Sequence, residues 1–520
     1  MGVHAGGALT LGSANVAIGH SALRNETAYG NNVAIGEQAL TAQDAGADAY
    51  NVAVGFQAGV AVSTGVQNVL IGGKAGDSLT TGNYNVAIGI DALGGEDDHG
   101  RNVAIGANAL GNQNAGADAY NVAVGYQAGL NVSTGIQNTI IGGLAGDALT
   151  TGAQNTAIGY EALSTEDTHG NNTAVGFRSL KNQDAGANAA NTAVGYNSGT
   201  AMTTGLYNTL VGGNAGSAIQ SGSGNTIMGL NAGDAITTGW NNTAIGQEAL
   251  SSEDTTSGNT AIGFQTLKLL NAGSNAYNVA VGYVTGEAMT TGVRNTIIGS
   301  FAGDAITGGS NNTAIGYNAL SAEDAHGNNV AIGGWALENL NAGAEGYNVA
   351  VGNNAGQTMT TGINTTLIGA DAGLSITTGT NNTALGYRAM YSNADGDNNT
   401  AIGYRALYSM DPSGNIDMYN VAVGHDAGLY ISTGVYNTIL GGLAGNALTT
   451  GDDNIAIGKS ALSTEDTGSK SIAIGVNALT TQDAGGINVY NVAIGHNAGT
   501  AVSTGVRNVI MGGIAGDALT

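Results

Sequence analysis

The chain has 520 residues, with 89 glycines, one proline, no cysteine and a formal net charge of −25 at pH 7. Without cysteine it forms neither disulfides nor thiolate metal sites, and a single proline excludes collagen. The acidic excess argues against binding nucleic acid or anionic lipid. A hydrophobic content of 42% with 9% charged residues does not fit a disordered chain, and no apolar run reaches the roughly 18–20 residues that span a bilayer.

One pentad, most often Asn-(Val/Thr)-Ala-Ile-Gly, recurs 29 times between Asn15 and Asn508. Most steps between successive asparagines are 17 residues, and a step of 19 at regular places gives a longer period of 70, as from Asn51 to Asn121 to Asn191. Such periodicity indicates a repeat architecture. No linker interrupts it, so the sequence predicts one continuous array over 1–520. Both ends fall within the repeat, which we interpret as a segment of a longer array.

Each pentad predicts one short β-strand. With the asparagine counted as position 0, position 1 is β-branched and position 3 is Ile, Val, Leu or Met in every copy. A step of 17 is too short for a strand-helix unit of about 30 residues but fits one coil of a parallel β-solenoid. We therefore predict an all-β solenoid of about 29 coils. Stacking at about 4.8 Å per coil would give a rod of roughly 140 Å.

Two positions of the pentad have a predicted structural role. The polar residue at position 0 is expected to stack from coil to coil as a ladder, and the invariant glycine at position 4 to form a bend that tolerates no Cβ. The longer coils, including the one with Pro412, are expected to loop their extra residues out. The first ladder members are Asn15, Asn32, Asn51, Asn68 and Asn85, and the first bend glycines are Gly19, Gly36, Gly55 and Gly72.

Position 2 is alanine in 21 copies and Ile or Leu in the other eight. If positions 1 and 3 fill the core, position 2 faces outward, and an apolar outward row needs a cover. We therefore expect further copies of the chain to cover it in a homotrimer; the alternative is that small alanines are tolerated in water. The predicted interface residues are Ala17, Leu70, Ile140, Leu210, Ile227, Ile297, Leu367, Ile439 and Ile510.

Carboxylates recur in columns, but members of one column are about four coils apart, whereas calcium needs six to eight converging oxygens. We expect solvated turns and no cofactor, with calcium as the alternative. His99, His169 and His326 are expected to be surface loop residues. The columns are Asp77, Asp147, Asp234, Asp304 and Asp517, and the pairs Glu96-Asp97, Glu166-Asp167, Glu253-Asp254, Glu323-Asp324 and Glu465-Asp466.

Tyrosines recur at position 5, as at Tyr126, Tyr160 and Tyr196, where packing over the bend is favoured over stacking on sugars. Threonine turns ("STG", "TTG") are missing from half the coils, which argues against an ice-binding face. Catalysis needs one constellation of unlike residues, whereas this chain repeats one coil, so we do not expect an enzyme.

The segments "NNVAIGEQAL", "NTAIGYEALS" and "NNTALGYRAMYS" resemble the head repeats of YadA-like trimeric autotransporter adhesins, also called haemagglutinin repeats, and similar runs occur in phage tail fibres. The resemblance covers essentially the whole chain. It implies a left-handed parallel β-roll, three chains around one axis, and attachment to a host surface. The sequence departs from the family in its 17-residue step and 70-residue supercycle, and it contains no neck, coiled-coil stalk or membrane anchor.

These observations predict a structural and adhesive extracellular fibre at a cell or virion surface. Its expected partners are further copies of itself and a host-surface or glycan receptor, without nucleic acid and without membrane insertion of this segment. The alternatives are a phage tail-fibre shaft or receptor-binding fibre, and an ice- or calcium-binding solenoid.

Overall fold

The computed structural model describes residues 2–519, which form two compact units, the first ending at Gly258 and the second beginning at Asn259. Each unit is a parallel β-solenoid, and together they contain about 29 coils spaced mostly 17 residues apart. The described residues contain strands and turns and no helix. The all-β parallel solenoid predicted from the repeat is therefore confirmed, whereas the single continuous array stays a prediction.

Among the described residues, the first unit contains the strands β1 (Val16–Ile18), β2 (Val33–Ile35), β3 (Val52–Val54), β4 (Val69–Ile71), β5 (Val86–Ile88), β6 (Val103–Ile105), β7 (Val122–Val124), β8 (Thr139–Ile141), β9 (Thr156–Ile158), β10 (Thr173–Val175), β11 (Thr192–Val194), β12 (Thr209–Val211), β13 (Thr226–Met228) and β14 (Thr243–Ile245).

The second unit contains β15 (Thr260–Ile262), β16 (Val279–Val281), β17 (Thr296–Ile298), β18 (Thr313–Ile315), β19 (Val330–Ile332), β20 (Val349–Val351), β21 (Thr366–Ile368), β22 (Thr383–Leu385), β23 (Gly396–Asp397), β24 (Thr400–Ile402), β25 (Ile416–Asp417), β26 (Val421–Val423), β27 (Thr438–Leu440), β28 (Ile455–Ile457), β29 (Ile472–Ile474), β30 (Val492–Ile494) and β31 (Val509–Met511).

Within each unit, each pentad strand pairs in parallel with the pentad strand of the next coil, position on position. Val16 lies opposite Val33 and Ile18 opposite Ile35. The same register holds across a 19-residue step, where Val33 lies opposite Val52. The extra residues of that step are accommodated at 44–48, which are largely exposed. The strand register is therefore independent of loop length.

The glycine at position 4 forms the bend after each strand. Gly55 has φ +146°, and a Cβ placed on it would lie 2.3 Å from the carbonyl oxygen of Gly72 in the next coil. Because that neighbour is backbone, no side-chain movement relieves the clash. Close stacking of successive coils thus accounts for the invariance of this glycine.

The side chain at position 2 lies inside the coil, and those at positions 1 and 3 face outward, so the predicted assignment of faces is wrong. Ala34 is fully buried, whereas Ile71 and Ile141 at position 3 are each 37% exposed. Ala17, in the first strand, is half-buried. The other predicted interface residues are buried in their own chain and do not reach a second copy: Leu70, Ile140, Leu210, Ile227, Ile297, Leu367, Ile439 and Ile510.

The larger residues at position 2 fill space that glycines leave on the opposite wall of the core. A Cβ on Gly59 would lie 2.6 Å from Leu70 Cδ1, and one on Gly76 would lie 2.9 Å from Leu70 Cδ2. In the coil of Ala34, the glycine is replaced by the buried Leu40. The side-chain volume that fills the core is thus similar from coil to coil. The Ile and Leu residues at position 2 therefore belong to the internal packing of the chain.

Candidate functional site

The asparagines at position 0 are buried and link successive coils through side chain and backbone. Asn68 Oδ1 accepts a hydrogen bond from the backbone N–H of Asn85 at 2.8 Å, and Asn68 Nδ2 donates to the carbonyl of Gly82 at 2.8 Å. The N–H groups of Asn32, Asn51 and Asn68 donate to the preceding asparagine at 3.0, 3.1 and 2.8 Å. An asparagine such as Asn68 thus closes its own coil and fixes the next, which is a structural role. Asn32, Asn102 and Asn172 make only the contact to the next coil, because their Nδ2 groups have no partner.

Positions 1 and 3 form a surface that we call the outer sheet face. In every coil these positions carry Val, Thr, Ile, Leu or Met, and never a charged residue. Position 3 remains substantially exposed, with values of 37% at Val194, 40% at Met228 and 41% at Leu385. An uncharged surface with an aliphatic row at position 3 is characteristic of interaction sites. Each unit therefore carries one repetitive, uncharged candidate contact surface.

The aromatic residues at position 5 form stacked rows on the surface. Tyr160 and Phe177 stack with ring centroids 5.6 Å apart, and Phe177 and Tyr196 with centroids 5.3 Å apart. The guanidinium of Arg178 lies 4.9 Å from the Phe177 ring centroid. Because neighbouring rings cover one another's faces, this row is a packed surface element, although Tyr160, Phe177 and Tyr196 are still 44%, 37% and 57% exposed.

A second aromatic row, in the other unit, has a different geometry. The pairs Tyr283–Phe301, Phe301–Tyr317 and Tyr317–Trp335 meet edge to face, with interplanar angles of 77°, 90° and 74°. Tyr283, Tyr317 and Trp335 are 50%, 48% and 37% exposed. Edge-to-face packing turns alternate ring faces away from their neighbours, which makes this row the better candidate for sugar stacking.

The glutamates of the Glu-Asp pairs are not solvated, contrary to the prediction. The side chains of Glu96, Glu166, Glu253, Glu323 and Glu465 are fully buried. Burial raises the pKa of Glu96 to about 7, against the hydrogen bond from the His99 backbone N–H and the nearby imidazole, which lower it. Burial likewise raises the pKa of Glu253. These carboxyls occupy a core position, which in other coils is filled by an apolar residue such as Val62 or Leu79.

The histidines predicted to be surface loop residues each lie beside one of these glutamates. Nδ1 of His99, His169 and His326 lies 3.8, 3.5 and 3.6 Å from Oε1 of the glutamate three residues earlier. The imidazoles are only 25–30% exposed. One face of each turn therefore combines a buried carboxylate, an aspartate and an imidazole.

The remaining acidic column lies in partly buried turns. Asp77, Asp147, Asp234 and Asp304 are each of intermediate exposure, and burial raises the pKa of each carboxyl. Asp517 is exposed. Threonine hydroxyls in the turns donate hydrogen bonds to the backbone of the next coil. One example is the Thr150 hydroxyl, which donates to the Asp167 carbonyl at 2.7 Å. Such hydroxyls serve coil-to-coil contacts.

Neither a protein-family model nor a curated protein matches this chain. The resemblance to YadA-like head repeats accordingly rests on the quoted segments and stays a prediction. Among residues 2–519 there is no helix of the length and apolarity needed to cross a membrane.

Proposed function

We propose that this chain is a stiff structural and adhesive fibre at a cell or virion surface, in which copies of the chain associate along the outer sheet face. The observation that carries the proposal is the outer sheet face, which is uncharged at positions 1 and 3 and carries an aliphatic residue at position 3 of every coil. Covering an isoleucine that is 37% exposed, such as Ile71 or Ile141, contributes roughly 0.5–1 kcal/mol. Repeated along many coils, that gain favours lateral association.

Charge distribution supports association at this face rather than elsewhere. A chain of net charge −25 repels its copies at neutral pH, and the outer sheet face carries no charged residue at positions 1 and 3. The resemblance to trimeric adhesin heads implies three copies. The 17-residue step lets copies align coil against coil, so one contact is repeated along the fibre.

The adhesive part of the proposal assigns receptor contact to the row from Tyr283 to Trp335. Tyr283 stacks on Phe264, whereas Tyr317 and Trp335 meet their neighbours edge to face. Carbohydrate rings stack on ring faces that are left uncovered in this way. A glycan is therefore the proposed receptor class. The stacked row of Tyr160, Phe177 and Tyr196 serves instead to stiffen the surface.

The self-association is tested by sedimentation equilibrium on the full chain. We expect about three times the single-chain mass of 51.0 kDa and dissociation when Ile141→Lys and Ile158→Lys place two charges on adjacent strands of the face. The matched control is Ile90→Lys, at an aliphatic position that is 62% exposed outside the face. A wild-type monomer, or dissociation by the control alone, would contradict the proposal.

The adhesive role is tested separately on a glycan array. Tyr317→Ala with Trp335→Ala should abolish the binding seen with the unchanged chain. Trp240→Ala removes another exposed tryptophan, 48% exposed, outside the row and should leave binding intact. If the unchanged chain assembles but binds no glycan, the proposed fibre stands and the proposed glycan receptor is wrong.

A further inference from the structure

Clusters of carboxylate and imidazole groups recur at equivalent turns of different coils. Glu166, Asp167, His169 and Asp184 each offer a ligand atom within 4.8 Å of the others, and Asp184 comes from the following coil. Two further clusters place Glu, Asp and His at the same relative positions. They are Glu96, Asp97 and His99, and Glu323, Asp324 and His326.

Each of the three clusters contains a buried polar atom without a hydrogen-bond partner. An unpartnered glutamate Oε2 also occurs at Glu26 and Glu253, outside these clusters, so the imidazole is what distinguishes the three turns. The Glu96 and Glu166 side chains have no exposed surface, and Oε2 of each has no hydrogen-bond partner. Nδ1 of His99 and of His326 is also buried without a partner. Oε1 of each glutamate faces Nδ1 and accepts the backbone N–H of the histidine at 3.1–3.2 Å. In the Glu96 turn this leaves Oε2 and Nδ1 as buried atoms that are free to bind a cation.

We infer that the three clusters at Glu96, Glu166 and Glu323 are sites for a divalent transition-metal ion such as Zn²⁺, held by imidazole Nδ1 and carboxylate oxygens. This inference is independent of the proposed fibre function. Each site combines one histidine with at least two carboxylates, a ligand set that Zn²⁺ accepts. Water completes the coordination where the following coil supplies no aspartate.

One distance between candidate ligands in each turn is close to that expected around a zinc ion. Two ligands at 2.0–2.2 Å from a tetrahedral zinc lie about 3.4 Å apart, and Nδ1 and Oε1 are 3.5–3.8 Å apart in the three turns. At His169 the Thr168 hydroxyl lies 2.9 Å from Nδ1 and has to rotate away. Calcium fits less well because it prefers six to eight oxygens and no imidazole.

The chain contains its own matched comparisons for these sites. The coil of Glu253 carries the same buried glutamate and following aspartate, with Thr256 in place of the histidine. The coils after Glu96 and Glu166 carry Gln113 and Gln183 at the equivalent buried position. Histidine to threonine and glutamate to glutamine are therefore substitutions that this fold already accommodates.

The experiment measures zinc bound to the full chain after removal of metal with a chelator, loading with ZnCl₂ and gel filtration. We compare the unchanged chain with the triple variant His99→Thr, His169→Thr and His326→Thr by elemental mass spectrometry. The remaining four histidines are common to both, so the difference isolates the three turns. The expected difference is three zinc ions per chain.

Two further arms make the result decisive. A second triple variant, Glu96→Gln, Glu166→Gln and Glu323→Gln, should also lose three zinc ions, and far-ultraviolet circular dichroism should show unchanged strand content in both variants. Co²⁺ in place of zinc should give visible absorption bands that vanish in the histidine variant. Equal zinc content in all three chains, no zinc in the unchanged chain, or displacement of zinc by millimolar Ca²⁺ would overturn the inference.

Discussion

Leu70 occupies the volume that a side chain at Gly59 would need. A Cβ on Gly59 would lie 2.6 Å from Leu70 Cδ1 across the core, and Gly59 has φ +58°. The two residues belong to successive coils and together hold about the volume that alanine and leucine hold in the coil of Ala34 and Leu40. The pattern at position 2 is therefore explained within one chain.

This relationship predicts coupling between the two sites. Leu70→Ala should lower the free energy of unfolding by about 2–5 kcal/mol through loss of buried volume. Gly59→Ala should also destabilise, by about 1–2 kcal/mol from its left-handed backbone and further from the clash with Leu70. The double variant should be more stable than the sum of the two effects, as measured by urea unfolding; strict additivity would refute the packing relationship.

The asparagine ladder predicts a large effect at a single buried amide. Asn68→Ala leaves the Asn85 N–H and the Gly82 carbonyl without their partners, so unfolding should become easier by roughly 2–4 kcal/mol. The Asn85 amide should also exchange faster with deuterium. Asn112→Ala serves as the control because its side chain is exposed. Equal effects at the two sites would argue against the ladder.

The bend glycines predict a difference between two glycine-to-alanine changes. Gly55→Ala forces a Cβ against the Gly72 carbonyl oxygen at 2.3 Å and should destabilise the first unit strongly, by more than about 3 kcal/mol. Gly46→Ala has nothing within 4 Å of the added Cβ, so it should cost only about 1–2 kcal/mol for its left-handed backbone. Thermal unfolding of both variants measures the difference.

The buried glutamates predict that stability falls as the pH rises. Burial raises the pKa of Glu253 above its ordinary value, so the unfolded chain releases this proton first and folding is progressively penalised up to the folded-state pKa. Below the ordinary value the group is neutral in both states and has no effect. The free energy of unfolding of Glu253→Gln, measured relative to that of the unchanged chain, should therefore increase as the pH rises from 4 to 7.

The control for that pH dependence is Glu37→Gln, which removes a negative charge from a side chain that is 56% exposed. Urea unfolding at several pH values compares the three chains. A stability difference between Glu253→Gln and the unchanged chain that stays constant, or that shrinks with rising pH, would contradict the assignment of a buried, neutral carboxyl.

The period of the sequence was sufficient to predict the strands, because backbone pairing depends on spacing and β-branched positions. It was not sufficient to predict which face is inside. We expected the larger residues at position 3, such as Ile71, to fill the core. The narrow coil instead accommodates small residues such as Ala53 inside and leaves the isoleucine outside. The sequence feature that indicates the buried face is Gly59. A core with glycine on one wall needs leucine on the other, and Leu70 at position 2 supplies it.

The buried glutamates were missed for a related reason. Carboxylates of one column recur only about every fourth coil, and this spacing led us to expect solvated turns. The residues equivalent to Glu96 in other coils are Val62, Leu79 and Val132, and comparing coils column by column identifies the position as part of the core. The contact between His99 and Glu96 follows from the turn geometry, which spacing alone does not give.

The most direct test of the account uses the absence of native cysteine to label single introduced thiols. Leu70→Cys lies in the core, Ile71→Cys lies on the outer sheet face, and Tyr84→Cys lies at an exposed site outside positions 1 and 3. Maleimide labelling rates are measured in the assembled chain and in the Ile141→Lys, Ile158→Lys background.

We predict that the thiol at 70 labels slowly in both states and the thiol at 84 rapidly in both. The thiol at 71 should label slowly in the assembly and rapidly after dissociation. A thiol at 71 that labels as fast as the one at 84 in the unchanged background would contradict association through the outer sheet face.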